Sequence, residues 1–241
     1  MTAPTRRERL RTATVSEIKD GARRLLVTGG PQAISLRAIA RDMGMTAPAI
    51  YRYFPSLDAL VAALASDLYD ELRQHIEAAR DAAGDDPIRQ LGAMARAFRN
   101  WSIRHPAEFT LAFGSGVPGV KIGKDDCVHK DHSGPLFSAV FMKPLLELWR
   151  RKPFPTPPAE ILEQRLGASL APLRHGYRDI PIQVAYVYLS GWTTLYGLVA
   201  MEITDNLRWA VTDPEALFET ELAVILHRLT EQPTTGHADP H

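Results

Sequence analysis

One cysteine, Cys127, in 241 residues leaves no partner for an internal disulfide. That excludes the stapled secreted scaffolds and points to a reducing compartment, the cytoplasm. No charged-then-apolar leader opens the chain, because residues 1–14 are polar and arginine-rich, so secretion is not expected. Period-2 alternation is lacking, which predicts a fold without strands. Neither a Gly-x-Ser-x-Gly elbow nor a phosphate-cradling glycine loop occurs, so those hydrolase and nucleotide-binding chemistries lack their motifs. Metal-capable side chains cluster at Cys127-Val128-His129 and Asp131-His132, with Asp125 and Asp126. Their spacing fits no standard zinc pattern, and no second Cys/His cluster completes four ligands. No metal, no cofactor and no enzymatic activity are therefore expected. Lys124 and Lys130 near Cys127 leave a redox role open.

Net charge is also lacking: 28 Lys and Arg balance 28 Asp and Glu. The distribution is uneven. Residues 1–60 carry ten basic and five acidic side chains, and the remainder is acidic by the same margin. Such asymmetry suits a basic, nucleic-acid-binding module fused to a neutral or acidic body, although a solvated basic face would read the same way.

What is present is helical periodicity. Residues 15–27 put Val15, Ile18, Ala22, Leu25 and Leu26 on one face before Gly29-Gly30-Pro31 stops the run. Ser35 opens a second helix that Gly44 closes, and Thr46 opens a very short third one ended by Pro55. Ser56 starts a long helix with Leu60, Leu64, Leu68, Leu72 and Ile76 four apart. Further helices are expected over 87–103, 107–113, 135–149, 161–173, 181–203 and 214–229, the last announced by Asp213-Pro214-Glu215. The expectation is an all-α chain: a flexible basic arm over 1–14, a three-helix helix-turn-helix domain over 15–60, and a larger helical ligand-binding and dimerisation domain over 61–231. The tail 232–241 is expected to be disordered.

The third helix is the informative one. Because Pro48 has no amide proton, the Thr46 hydroxyl should cap the Ala49 N–H. Turning Ile50 and Phe54 inward leaves a small outer edge of Ala47, Pro48 and Ala49, able to approach a major-groove floor and touch thymine methyls. Tyr51, Arg52 and Tyr53 offer groups for phosphates or a guanine edge. A small helical connector whose tyrosines merely pack is the competing reading.

The run Ser35-Leu36-Arg37-Ala38-Ile39-Ala40, the Gly44 turn, the Thr46 cap and Ile50-Tyr51-Arg52-Tyr53-Phe54 together resemble the N-terminal signature of the tetracycline-repressor (TetR) family. The resemblance covers residues 15–65. It implies backbone contacts from Thr46 and Tyr51, and base-edge contacts from Ala47, Pro48, Tyr51 and Arg52. Tyr53 stands where the family often has a phosphate-binding histidine. Leu57-Asp58 departs from the usual lysine-acid pair, so one phosphate contact is missing; Arg37, Arg41 or the arm residues Arg6, Arg7, Arg9 and Arg11 are candidates to replace it. The expected DNA-binding set is Ser35, Arg37, Thr46, Ala47, Pro48, Ala49, Tyr51, Arg52 and Tyr53.

Residues 180–201 contain no charge and are long enough to span a membrane, but Gln183, Ser190, Thr193 and Thr194 interrupt them and no charge asymmetry supports insertion. A dimer interface is the preferred reading, with Leu195, Leu198, Val199, Leu222, Ile225 and Leu229 as its apolar stripes and Gly191 and Gly197 permitting close approach. The resemblance implies that the last two helices pair into a four-helix bundle, and two half-sites on an operator ask for two copies. Trp101, Phe109, Phe113, Phe137, Phe141, Tyr188 and Trp192 serve either as core or, as the resemblance suggests, as a pocket for an apolar small molecule, with residues 114–134 as a lid. The function expected is a DNA-binding repressor released by that ligand; the alternative is a helical small-molecule binder without an operator.

Overall fold

The computed structural model describes residues 5–114, 133–177 and 180–231. Among them are ten α-helices and no strand. In order they are α1 (Arg6–Gly29), α2 (Leu36–Asp42), α3 (Ala47–Ile50), α4 (Leu57–Ala82), α5 (Pro87–Arg104), α6 (Pro106–Phe113), α7 (Ser133–Arg151), α8 (Ala159–Gly176), α9 (Ile182–Ile203) and α10 (Pro214–Thr230). Two compact units divide them. One takes α1 to α3, α4 as far as Leu72, and α6; the other takes α4 from Arg73, α5 to Ile103, and α7 from Phe137 through α10.

In the first unit the apolar faces close as their spacing requires. Ile18, Ala22 and Leu26 of α1, Leu36 and Ile39 of α2, and Leu60, Leu64, Leu68 and Leu72 of α4 are all buried. Gly21 sits against α2: a Cβ there would lie 3.2 Å from Ile39 Cγ2. Gly44 turns the chain from α2 to α3 at φ +64, a left-handed conformation that glycine adopts without the Cβ penalty.

Residues 6–14, read from the sequence as a flexible arm, are instead the opening turns of α1. Thr5 accepts a hydrogen bond from the Glu8 N–H at 3.2 Å, and the Glu8 carboxylate takes the Thr5 N–H at 2.6 Å. This reciprocal capping box starts the helix at Arg6, nine residues before Val15, where the apolar stripe begins. Placing α6 with the first unit also departs from the expected split at residue 60. Its anchors are polar as well as apolar. Arg23 of α1 donates to both oxygens of Glu71 at 2.7 and 3.2 Å and to the buried Glu108 of α6 at 3.1 Å. Tyr69 donates to the Ala112 carbonyl at 2.6 Å and meets the Phe113 ring edge-on. Hydrogen bonding to Glu71 holds the Arg23 guanidinium pKa above its ordinary value, outweighing the cost of burial.

The second unit has its own core, in which Leu145, Phe154, Leu162, Leu170, Ile182, Val184 and Leu229 are buried. Arg99 of α5, only 6% exposed, donates to both carboxylate oxygens of Glu202 on α9 at 2.7 and 2.9 Å and faces Glu215 of α10 at 3.3 Å. Its guanidinium also lies over the Phe218 ring, 5.4 Å from the centroid. Burial works against the charge, but the bonds to Glu202 and Glu215 more than offset it, so the Arg99 pKa stands above the usual guanidinium value.

Candidate functional site

The segment from Ser35 to Phe54 is built from the inside outward. Ser35 caps α2 by accepting from the Ala38 N–H at 3.4 Å, which commits its hydroxyl to the fold. The expected cap by the Thr46 hydroxyl is not made. Instead the Ala49 N–H bonds the Thr46 backbone carbonyl at 2.9 Å, as a tight first turn permits, and the Thr46 side chain stays exposed. Ile50 and Phe54 anchor the element, at 0% and 6% exposure. Their burial turns Thr46, Ala47, Pro48, Tyr51 and Arg52 to the outside, with Ala49 half-buried. Beyond α3 the chain keeps turning through i to i−3 bonds from Arg52 and Tyr53, so the rod is longer than its four helical residues.

Tyr53 is half-buried, and the Arg11 guanidinium lies over its ring, 5.4 Å from the centroid. Arg11 Nη2 also reaches the Arg52 carbonyl at 3.5 Å. Sequence reasoning named Arg11 only as part of an arm; its contact with the third helix became visible only in the fold. Arg37 and Arg41 stand exposed on α2.

The second unit holds an apolar cavity of about 70 Å³ between α5, α7, α9 and α10. Of the aromatic side chains expected to line a pocket, Phe141, Tyr188 and Trp192 do so, joined by Phe98, which stacks at a tilt on Trp192 with centroids 5.3 Å apart. Trp101 is buried in the packing of α5 and is not a wall. Phe109 and Phe113 pair with each other in the first unit, centroids 5.1 Å apart, and are no part of this cavity. Nothing is described for the Phe137 side chain, and Cys127, the cluster over 125–132 and most of the expected lid lie outside the described residues.

The expected dimer stripe needs correction as well. Val199, Leu222 and Leu229 are buried within their own chain, so they are not available to a second copy. Leu195 and Ile225 line the cavity, and Leu198 is half-buried. The outward apolar side chains of α9 and α10 are Leu189, Met201 and Val224. Helical spacing marks a stripe as apolar but does not say which neighbour covers it. Helix α9 is also the one described helix long and apolar enough to cross a membrane, a weak indication for a single helix.

A compact head that exposes a short, small-faced rod behind a glycine turn is a helix-turn-helix DNA-binding module. Residues 18–64 match the family described as bacterial regulatory proteins, tetR family, and residues 91–225 match the tetracyclin repressor-like C-terminal domain. The solved regulatory protein SCO4313 is 33% identical with a TM-score of 0.73, the match covering 92% of this chain and 100% of that one. The HTH-type transcriptional regulator Rv1816 of Mycobacterium tuberculosis is 41% identical over 105 residues, 43% of this chain. In that match the chain spans 45% of the relative's length. RolR, solved in complex with resorcinol, shares the fold at 13% identity and a TM-score of 0.50. The chain belongs to the tetracycline-repressor family of transcription regulators.

Proposed function

We propose that two copies of this chain bind a palindromic operator as a cytoplasmic repressor and leave it when an apolar small molecule enters the cavity of the second unit. The observation that carries the reading is the exposed edge Thr46-Ala47-Pro48, held outward by buried Ile50 and Phe54. Methyl and pyrrolidine groups pack on thymine methyls, while Tyr51 and Arg52 reach backbone or a guanine edge.

One rod reads few base pairs, so specificity requires a second rod about one helical turn away. Leu189, Met201 and Val224 supply outward apolar groups for pairing, and a Cβ on Gly197 would meet nothing in its own chain. Release requires that the ligand prefer the conformer whose rods are misaligned, since equal affinity for both conformers shifts nothing. A cavity of about 70 Å³ is far smaller than the ~300 Å³ of common ligand sites. A ligand seated fully within it would push Phe141, Tyr188 or Trp192 aside, and that displacement would distinguish the filled from the empty conformer. The resorcinol seen with RolR supports a small aromatic as the class to screen first.

The test is a gel shift with the gene's own upstream duplex. Wild type should give a salt-sensitive shift that needs both half-sites, and Tyr51→Ala should lose it while sedimenting as a dimer. An unchanged Tyr51→Ala affinity would show that α3 is not the reading element. No shift by wild type would favour a helical small-molecule binder without an operator.

A further inference from the structure

We propose that the groove between the opening turns of α1 and the α3 turn is a second DNA-contacting surface, gripping the sugar-phosphate backbone beside the bases that α3 reads. The proposal rests on the regulator reading and extends it to a surface that α3 does not provide. Arg6, Arg7, Arg11 and Arg52 line the open groove, with Leu10 and Tyr53 among its apolar walls.

Three observations give it a polyanionic occupant. The first is selective pairing. Among the described residues, the head cations on the other turns of α1 are neutralised: Lys19 by Asp67, Arg23 by Glu71 and Glu108, and Arg24 by Asp42. Among the described residues no ion pair joins Arg6, Arg7, Arg11 or Arg52 to a carboxylate, and the neighbouring Glu8 is held by the Thr5 amide. Second, Arg6 and Arg7 occupy the first turn of α1, where a helix favours negative charge. Two cations kept at that end oppose the dipole, and an approaching phosphate relieves both costs together. Third, the groove is fixed relative to the reading element. Arg11 lies over the Tyr53 ring and touches the Arg52 carbonyl, so the start of α1 and the end of the rod keep a set spacing. A strand of duplex backbone engaged by the groove would therefore stay in register with the groove floor met by Pro48.

The experiment measures full-length protein on its operator duplex by fluorescence anisotropy across a salt series. Each phosphate contact contributes about 0.9 to the slope of log K against log salt. Arg6→Gln/Arg7→Gln removes two contacts from each of the two copies, so it should lower the slope by about 4 and weaken operator and scrambled duplex by similar factors, because backbone contacts carry no sequence information. Arg6→Lys/Arg7→Lys should keep most of the slope. Arg9→Gln removes the same charge from the same turn of an exposed helix but from outside the groove, and should change the slope far less. Circular dichroism checks that α1 remains helical in each variant. A wild-type slope in the double glutamine variant, or an equal loss per charge from Arg9→Gln, would overturn the groove while leaving α3 as reader. A wild-type protein that binds no duplex at all would overturn the regulator reading itself.

Discussion

At the scale of single residues, two arginines one helical turn apart separate burial from mere pairing. Arg99 and Arg96 both make bidentate bonds to a glutamate, Arg99 to Glu202 and Arg96 to Glu219. Arg99 and its partner are largely shielded, whereas the Arg96 and Glu219 side chains are 50% and 39% exposed. Removing one member of a buried pair strands the other charge, so Arg99→Ala should cost about 3 kcal/mol in urea unfolding. Arg96→Ala should cost less than about 1 kcal/mol, because water and salt already screen that pair. Comparable losses would mean that Glu202 finds water when its partner goes. Gly44 makes a different kind of residue-scale case. Open space surrounds its would-be Cβ, so Gly44→Ala is purely conformational and should cost about 1 kcal/mol in thermal or urea unfolding. Gly44→Asn should recover part of that, since asparagine tolerates the left-handed region better.

At the scale of elements, what could be read from the sequence was what is settled locally. The Ser35 cap, the Gly44 turn, the Asp213 cap on the Ala216 N–H and the leucine ladder of α4 all follow from neighbours within four residues. The start of α1 was equally local and went unread: Thr5 and Glu8 stand at capping-box spacing, but the polar run after them carries no apolar stripe. Glu8 has a lowered pKa, chiefly through its bond to the Thr5 amide. A depressed carboxylate stabilises the fold above the ordinary glutamate range and loses that contribution as pH falls through its lowered value. Acidification should therefore fray the first turn of α1 before α4 is affected, seen as selective shifts of the Thr5 and Glu8 amide resonances. Simultaneous loss of both helices would contradict this. The cavity walls were not legible for the opposite reason. Trp101 and Phe98 are three residues apart on α5, and only the helices packed on them decide that one is core and the other wall.

At the scale of the whole molecule, the proposed pairing and the proposed ligand response can be tested separately. Met201→Arg with Val224→Arg puts charge on the outward apolar positions of α9 and α10 and should yield monomers in sedimentation, with palindrome-dependent binding lost. A persistent dimer would move the interface elsewhere. The cavity lies behind different residues. A small aromatic that fills it should raise the melting midpoint of wild type, since binding to the native state adds stability by mass action. Leu195→Trp, which occupies the space in advance, should blunt that rise and still form a dimer. An undiminished rise would place the binding site outside this cavity.

The unneutralised arginines of the head also govern how the protein behaves at the bench. A chain with a formal charge of zero and an isoelectric point near 7.1 would be expected to pass through a cation exchanger at neutral pH. Its positive side chains are gathered on one module, however, and a polyanionic resin meets that module rather than the average. Heparin should retain the protein until salt is raised, and lysate purified without a high-salt wash should carry ultraviolet absorbance from co-eluting nucleic acid.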